Sequence, residues 1–348
     1  MTKPTLIIIH GMGTHTAESF KEEVVSSINA AYATYPSFVG RNIEEIVDIV
    51  SVSYDDIFEE YRTKVAEDST NISSILSAIT PATNLSNLVN FMTDFTTNFS
   101  EDSLFYTHWL DVLLYRFTTL GEEVRIRIGK AVNEQIINKG ASFVHILGHS
   151  LGTAVLHDAL ASRYLEGYEL GETTDALSPS MHKLKSVHMM ANVGRVLETI
   201  PKLNSSIVRP LTGCTSYYRE YRHRFDPFTW VKPFNPVGAP WSPNEYVLTK
   251  IDKVTQIDTH DIKHYLRNPH VHRMLLSFVD SEFCPTDNDV EVAEEAFLDE
   301  TVSEKYVQLI EYKDQVELNN ADSVINFVDA VIAFKAYVNS LGDEFIGE

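Results

Sequence analysis

The residues best suited to chemistry are Gly148–Gly152, which read Gly-His-Ser-Leu-Gly around one serine. The apolar run Phe143–Leu147 before them predicts a strand, and the residues after them predict a helix. A serine on a sharp strand-to-helix turn presents its hydroxyl for attack on a carbonyl carbon, and the flanking glycines let other backbone approach closely. The pattern therefore predicts Ser150 as a nucleophile. Its alternative is a tight turn in another doubly wound fold, in which the serine has no role.

A second glycine-containing segment, His10–Gly13 (His-Gly-Met-Gly), directly follows the predicted strand Leu6–Ile9. Acyl transfer through a serine needs hydrogen-bond donors for the oxygen that becomes negative in the tetrahedral intermediate. The backbone N–H groups of Met12 and Leu151 are the predicted donors of this oxyanion hole. Alone, the segment is a weak motif that fits any strand-to-helix turn, but together with the serine motif it indicates a hydrolase.

The two segments resemble those of lipase- and esterase-like serine hydrolases of the α/β-hydrolase family. By architecture the resemblance extends over roughly residues 5–60 and 140–275. It implies a catalytic triad in the chain order serine, acid, histidine. The chain departs from the family in starting almost at the strand before the oxyanion loop, and in inserting its extra residues earlier than is common.

The resemblance places the acid in the loop after the predicted strand Thr215–Tyr221, where Asp226 precedes a proline. Proline fixes such a turn, and the basic residues 222–224 would favour the ionised form of Asp226. An Asp-Pro turn without a catalytic part is the alternative, and Asp252 and Asp258 are rival acids nearer the histidine's expected position.

The resemblance places the histidine after the last strand, and His260, which precedes a Tyr-Leu helix start, is the predicted general base. His264 is its rival, because spacing fixes only the order of these residues. His270 and His272 are interpreted as surface or packing residues.

Short apolar runs alternating with helical patterns predict an α/β fold, specifically a shortened α/β-hydrolase fold with a mostly parallel sheet of about six strands flanked by helices. The predicted strands are Leu6–Ile9, Ile46–Ser53, Phe143–Leu147, Leu184–Met190, Thr215–Tyr221 and Tyr246–Ile257. Helices are predicted over Ala17–Ala33 and Thr153–Tyr164, within a catalytic domain that spans residues 1–284.

Two further segments accompany this domain. Residues 55–142 are far more than one crossover needs, which predicts a helical cap inserted at about 60–120. Its stretch Asn71–Ser100 carries one charged residue, Asp94, so it either packs on the core or forms a lid over an apolar acyl pocket. Residues 285–348 predict an acidic helical extension that packs on the core or offers a surface to a second copy or a protein partner.

Composition narrows the possible partners. The net charge of −21 argues against nucleic acid as a partner and against unaided docking on anionic membranes. The two cysteines suggest a reducing compartment, and no run approaches the roughly 20 apolar residues that span a bilayer. A cytoplasmic protein without stable membrane insertion is expected. No motif for a metal or cofactor occurs, so none is implied.

The sequence thus predicts a serine hydrolase that cleaves a carboxylic ester of a small molecule or lipid, with a hydrophobic acyl group, through Ser150, Asp226 and His260. Thioesters and amides are alternatives for the same triad. A non-catalytic binding or regulatory protein on a hydrolase scaffold is a third possibility.

Overall fold

A parallel sheet forms the centre of the protein. In the computed structural model the described residues are 2–11, 15–67, 111–112, 114–116, 118–164, 177–195, 197, 205–229, 233–236, 241–256 and 258–299. The strands within them are β1 (Thr5–Ile9), β2 (Asp48–Val52), β3 (Val144–His149), β4 (Leu184–Met190), β5 (Thr215–His223) and β6 (Tyr246–Ile251). They pair in the order β2-β1-β3-β4-β5-β6, and every pair is parallel. The prediction of an α/β fold with six parallel strands is confirmed.

Helices cover both faces of this sheet. They are α1 (Ala17–Ala33), α2 (Ile43–Ile46), α3 (Asp55–Glu67), α4 (Leu120–Lys139), α5 (Leu151–Tyr164), α6 (Ile262–Arg267), α7 (Pro269–Val279) and α8 (Asp287–Asp299). Side chains of α3, α4 and α5 pack on one face, and those of α1, α6, α7 and α8 pack on the other. Successive residues of β1 alternate between the two cores, as the period of a strand requires.

The strand bounds agree with the sequence to within two residues except at the last strand; Ile46, predicted to begin the second strand, instead ends α2. The predicted run to Ile257 overshoots, because β6 ends at Ile251. Ile251 pairs with His223, the last residue of β5, so the ladder of hydrogen bonds has no further partner beyond it. The prediction was wrong for residues 252–256, and Ile257 lies outside the described residues. This early end frees the chain to turn back over the carboxyl edge of the sheet before α6.

The insertion and the extension are described in part. Of the predicted cap, residues 68–110 lie outside the described residues, while α3 and α4 on either side of them pack on the sheet. Of the predicted extension, α8 packs on the core through Ala293 and Phe297, and Asp289 accepts the N–H of Ser37 at 2.8 Å. Residues 300–348, including the stripe over Asp322–Leu341, lie outside the described residues.

Two further observations concern the predicted setting of the protein. Neither Cys214, which is buried, nor Cys284, which is exposed, takes part in a disulfide. Within the described part of the chain, no helix has both the length and the apolar character that crossing a membrane requires.

Candidate active site

Ser150 occupies the turn between β3 and α5, at the carboxyl edge of the sheet. Its φ is 54°, a left-handed conformation that side-chain-bearing residues rarely adopt. Neighbouring elements hold it there: the Ser150 N–H donates to the carbonyl of Met190 at 3.0 Å, and the Thr153 hydroxyl donates to the Ser150 carbonyl at 2.6 Å. Backbone strain maintained in this way is common where a reactive side chain must be aimed.

Two glycines let the chain segments around Ser150 pass very close to one another. A Cβ on Gly11 would lie 2.6 Å from the Cβ of Ser150, and a Cβ on Gly152 would lie 2.3 Å from the carbonyl oxygen of His10. Neither distance is compatible with a side chain. The loop after β1 and the start of α5 therefore touch only because both positions are glycine.

Substituting Gly152 with alanine is expected to lower the rate at which Ser150 reacts with a fluorophosphonate probe at least about 10-fold, since a misplacement of about 1 Å near a reactive group is costly. The loop at His10 must move to admit the methyl group. Gly40→Ala is the control: Gly40 has a left-handed φ of 83°, unlike the helical Gly152, and a Cβ there meets no atom within 4 Å. It should cost about 1 kcal/mol of stability and leave the labelling rate unchanged. An unchanged labelling rate in Gly152→Ala would show that the close approach is irrelevant to the reactivity of Ser150.

His260 lies in the loop between β6 and α6 and faces Ser150. Its Nε2 is 2.7 Å from the Ser150 Oγ. The ring packs against Phe228, with 4.1 Å between ring centroids. The backbone of this histidine is fixed as well, because its N–H donates to Asp258 at 3.1 Å and its carbonyl accepts from the His149 Nε2 at 2.7 Å. The imidazole is thus presented to the serine in one orientation.

Asp226 lies on the far side of the His260 ring and is fully buried. Its Oδ2 is 2.9 Å from the His260 Nδ1. Two further donors use the same carboxylate: the Phe228 N–H reaches Oδ1 at 3.0 Å, and the Tyr265 hydroxyl reaches Oδ2 at 2.7 Å. A buried carboxylate needs such partners, and here they orient both oxygens. The structure thus brings the three predicted triad residues into one continuous chain of hydrogen bonds.

Among the rival residues, Asp258 contacts only the backbone of His260, whereas Asp226 contacts its ring. The basic residues 222–224 were expected to favour the ionised form of Asp226. One of them, Arg222, bonds to other groups instead: it donates to Glu220 at 2.6 Å and to the carbonyl of Phe234. Donors from Phe228 and Tyr265, which the sequence analysis did not identify, hold the carboxylate instead.

His264 does not meet the serine. It is buried on α6, with its Nδ1 2.9 Å from the Thr255 Oγ1 and its Nε2 3.1 Å from the Nε2 of His223. Burial lowers the pKa of His264 well below the usual range. Of the two more distant histidines, His270 is exposed and His272 is buried, with its Nε2 2.8 Å from the Tyr35 hydroxyl.

Of the two predicted oxyanion donors, Leu151 is among the described residues and Met12 is not. Leu151 is the first residue of α5, so its N–H is among those at the helix N-terminus that have no partner within the helix. This is the end of a helix that favours negative charge. Met12 lies outside the described residues, and its part in an oxyanion hole stays a prediction.

A cavity of about 190 Å³ opens beside Ser150 and His260. Its other described lining residues are His15, Phe20, Glu23, His149, Asp258, Asp261 and Ile262. Burial raises the pKa of Asp261 above its ordinary value and lowers that of His149 well below the usual range, so His149 is neutral. The described wall is mainly polar. The expectation of an apolar acyl pocket rested on residues 71–100, which lie outside the described residues.

The polar contacts that Tyr265, His149 and Tyr54 make in the site were also not anticipated from sequence. Tyr265 donates to Asp226, and His149 donates to the carbonyl of His260, as described above. Tyr54, just after β2, donates its hydroxyl to the carbonyls of His10 and Gly11 at 2.8 and 3.0 Å. Each contact joins segments distant in the chain, so local patterns carry no signal of it.

Comparison with known proteins does not identify the chain: no model of a protein family matches it, and no curated protein matches it significantly. Among the described residues, no three histidine, cysteine, aspartate or glutamate side chains are grouped in a way that would hold a metal ion.

Proposed function

We propose that this protein is a serine hydrolase of the α/β-hydrolase fold that cleaves carboxylic esters. The observation that carries the proposal is the hydrogen-bond chain from Ser150 through His260 to Asp226, with contacts of 2.7 and 2.9 Å. It lies at the carboxyl edge of a parallel sheet, where ligands of such folds bind. The fold assignment is further supported by the serine's place on a strained turn between β3 and α5.

In the proposed mechanism, the Ser150 hydroxyl attacks the ester carbonyl while the His260 Nε2 takes its proton. Asp226 accepts the Nδ1–H of the same ring, which keeps Nε2 free to act as a base and stabilises the imidazolium that forms. The protonated His260 then gives its proton to the departing alcohol. Water, deprotonated by His260, attacks the acyl-Ser150 ester and releases the acid.

The intermediate's negative oxygen requires donors that are in place before the reaction. The Leu151 N–H at the start of α5 is one proposed donor, and the Met12 N–H is the other. All groups that the mechanism needs belong to the chain, so it requires no cofactor. Thioesters and amides react through the same steps, and we propose esters because the segments around Ser150 and His10 resemble those of lipase- and esterase-like hydrolases.

Labelling with a fluorophosphonate probe, alongside hydrolysis of p-nitrophenyl esters of increasing chain length, tests the proposal. Wild-type protein should label and turn over, and Ser150→Ala should do neither. His260→Gln should lose roughly 10⁴-fold in turnover, whereas His264→Gln, at a buried neighbour that does not meet the serine, should retain labelling. The chain-length dependence would test the hydrophobic acyl preference. A wild-type protein that neither labels nor hydrolyses any ester would contradict the proposal and favour a binding protein.

A further inference from the structure

Tyr265 joins the acid of the proposed triad to the end of strand β5. The side chain belongs to α6 and is fully buried. Its hydroxyl oxygen lies 2.7 Å from the Asp226 Oδ2 and 3.2 Å from the backbone nitrogen of His223. The last residue of β4 pairs with Tyr221, so the ladder between β4 and β5 has ended before His223. The tyrosine hydroxyl is the acceptor that this N–H finds instead.

The direction of both hydrogen bonds follows from the groups that form them. The His223 N–H can only donate, so the Tyr265 hydroxyl accepts it and has its own proton left for Asp226. Burial raises the pKa of the Tyr265 hydroxyl well above its ordinary value, so the hydroxyl keeps this proton throughout the working pH range. Tyr265 is therefore a permanent donor to the carboxylate.

The carboxylate oxygen that Tyr265 contacts also accepts from the general base. The His260 Nδ1 lies 2.9 Å from this Oδ2 and 3.0 Å from Oδ1 of the same side chain, Asp226. A hydrogen-bond donor favours the ionised carboxylate and draws its negative charge toward the donated proton. Less of that charge is then left to stabilise the imidazolium that forms during the reaction. Through Asp226, the tyrosine weakens the hold of His260 on a second proton.

Tyr265 is placed to act on the base and the acid rather than on a substrate. Helix α6 begins at Ile262, two residues after His260, so Tyr265 and the base belong to one short segment of the chain. The hydroxyl ties this segment to the loop after β5 that carries Asp226. The ring is fully buried and is not part of the described wall of the cavity beside Ser150.

We propose that Tyr265 is a positioning residue that sets the proton affinity of His260: by donating to Asp226, it widens the pH range in which the imidazole is unprotonated and can accept the serine proton. This inference rests on the proposed function. A protonated imidazole cannot take the proton of Ser150. The tyrosine hydroxyl therefore keeps the site active at lower pH than a triad without it.

Tyr265→Phe removes the donor and keeps the buried ring. We expect the acid limb of kcat/KM to move upward by about 0.5 to 1 pH unit, because the charge left on Asp226 then holds a proton on His260 more firmly. The acid limb of fluorophosphonate labelling should move by the same amount, and KM should change little. Circular dichroism at each pH defines the range in which the variant is folded, and only that range enters the profile. Within it, a residue that merely supports the fold would leave the limb in place.

The other titratable groups near the pair are common to wild type and variant. Those that face His260, line its cavity or lie near Tyr265 are His15, Glu23, His149, Arg222, His223, Asp258 and Asp261. Burial holds His149 neutral, and Arg222 is bonded to Glu220. A movement of the acid limb in Tyr265→Phe therefore reports the lost contact with Asp226.

Tyr32→Phe is the matched control. Tyr32 is also fully buried, packs in the same apolar core as Tyr265, and donates its hydroxyl to the buried Asp280 at 2.8 Å. The substitution removes the same kind of bond, from a tyrosine to a buried aspartate, outside the proposed triad. It should lower the melting temperature comparably and leave the acid limb where wild type has it.

A ring-fluorinated tyrosine at position 265 gives a second test that keeps both hydrogen bonds, and it decides the matter where Tyr265→Phe does not fold. Its more acidic hydroxyl is a stronger donor, so the acid limb should move to lower pH, opposite to the effect of phenylalanine. If wild type hydrolyses esters and the limb is unmoved in either folded variant, the role of Tyr265 is refuted alone. If wild type neither labels nor hydrolyses any ester, the proposed function is refuted with it.

Discussion

Replacing Asp226 with asparagine is expected to lower kcat for ester hydrolysis by roughly 10⁴-fold, the size of effect that a wrong histidine tautomer produces in a Ser-His-Asp site. The buried carboxylate accepts from three donors: the Phe228 N–H, the Tyr265 hydroxyl and the His260 Nδ1. Asparagine offers one oxygen and one NH2 group. The Phe228 N–H can only donate, so we expect the oxygen at the Oδ1 position and the NH2 group at the Oδ2 position, where the Tyr265 hydroxyl can turn to accept and the His260 Nδ1 is 2.9 Å away.

That arrangement reverses the proton on the imidazole. With an NH2 donor opposite Nδ1, the neutral ring must carry its proton on Nε2, only 2.7 Å from the Ser150 Oγ. The base then has no lone pair for the serine proton. Steady-state hydrolysis and the rate of fluorophosphonate labelling both report this step, and both should fall together, while the melting temperature changes far less than the activity.

Asp258→Asn is the matched control for this change. Asp258 is close to the same histidine but accepts its backbone N–H rather than its ring N–H. Asparagine still offers an oxygen for that contact, so we expect less than about a 10-fold loss, in keeping with one weakened neutral hydrogen bond. A large loss in Asp258→Asn with a small one in Asp226→Asn would exchange the roles of the two carboxylates and contradict the proposed triad.

Much of the fold could be predicted from sequence because strands buried on both faces read as uninterrupted apolar runs. β1 and β4 were found nearly to the residue for this reason. The end of β6 was not, since residues 252–257 continue a strand-like pattern while the partner strand β5 has already ended at His223. The length of a strand is set by its neighbour in space, which a single run of residues does not contain.

The candidate site, like the fold, could be predicted only in part. The strained turn at Ser150 has a local requirement for glycines, and the sequence displays it. No local pattern distinguishes His260 from His264, because the choice between them depends on which side of the α6 N-terminus each ring lies. Asp261 caps that helix by accepting the Lys263 N–H at 2.8 Å. His260 thereby stays outside the helix and free to face the serine, while His264 is carried into the core.

Mild acid is expected to unfold the protein, because buried histidines are held neutral. Burial is the main cause that lowers the pKa of each of them, to about 4 for His145 and His272. Among the residues that the structure describes, six histidines share this property: His145, His149, His188, His223, His264 and His272. In the unfolded chain each would take up a proton near its ordinary pKa of about 6.5.

The sign of the effect follows from this difference. A group with a lowered pKa in the folded state stabilises the fold fully above its unfolded pKa, and loses that contribution as the pH falls toward the folded value. Each such histidine removes about 1.4 kcal/mol per pH unit within that window, or roughly 3 kcal/mol in all for a group shifted to about 4. Because domains have only about 5–15 kcal/mol of stability, several of these groups together suffice to unfold this one.

Glu220 acts in the opposite direction. It is buried in β5, and burial raises its pKa to about 7 despite its contact with Arg222. Its contribution to the free energy of unfolding is fully present below its unfolded pKa and is lost as the pH rises through about 7. Protonation of Glu220 therefore stabilises the fold as the pH falls. This single group offsets the proton uptake of about one histidine, so the net effect of acid on the stability of the fold is still set by the histidines. We therefore expect a cooperative transition between about pH 4 and 6, in the window that the histidine pKa values define.

Urea unfolding at a series of pH values, followed by circular dichroism, measures the expected slope, which is positive and corresponds to several protons between about pH 6 and 5. His272→Gln should reduce that slope by about one proton, because it removes one buried titrating group. His270→Gln, two residues away on α7 and exposed, should leave it unchanged. A stability that stays flat or rises from pH 6 to 5 would mean that these histidines are not held neutral by the fold. In that case the hydroxyls of Tyr35 and Ser186, which contact two of the rings, would be accepting hydrogen bonds from charged imidazolium rather than bonding to neutral imidazole.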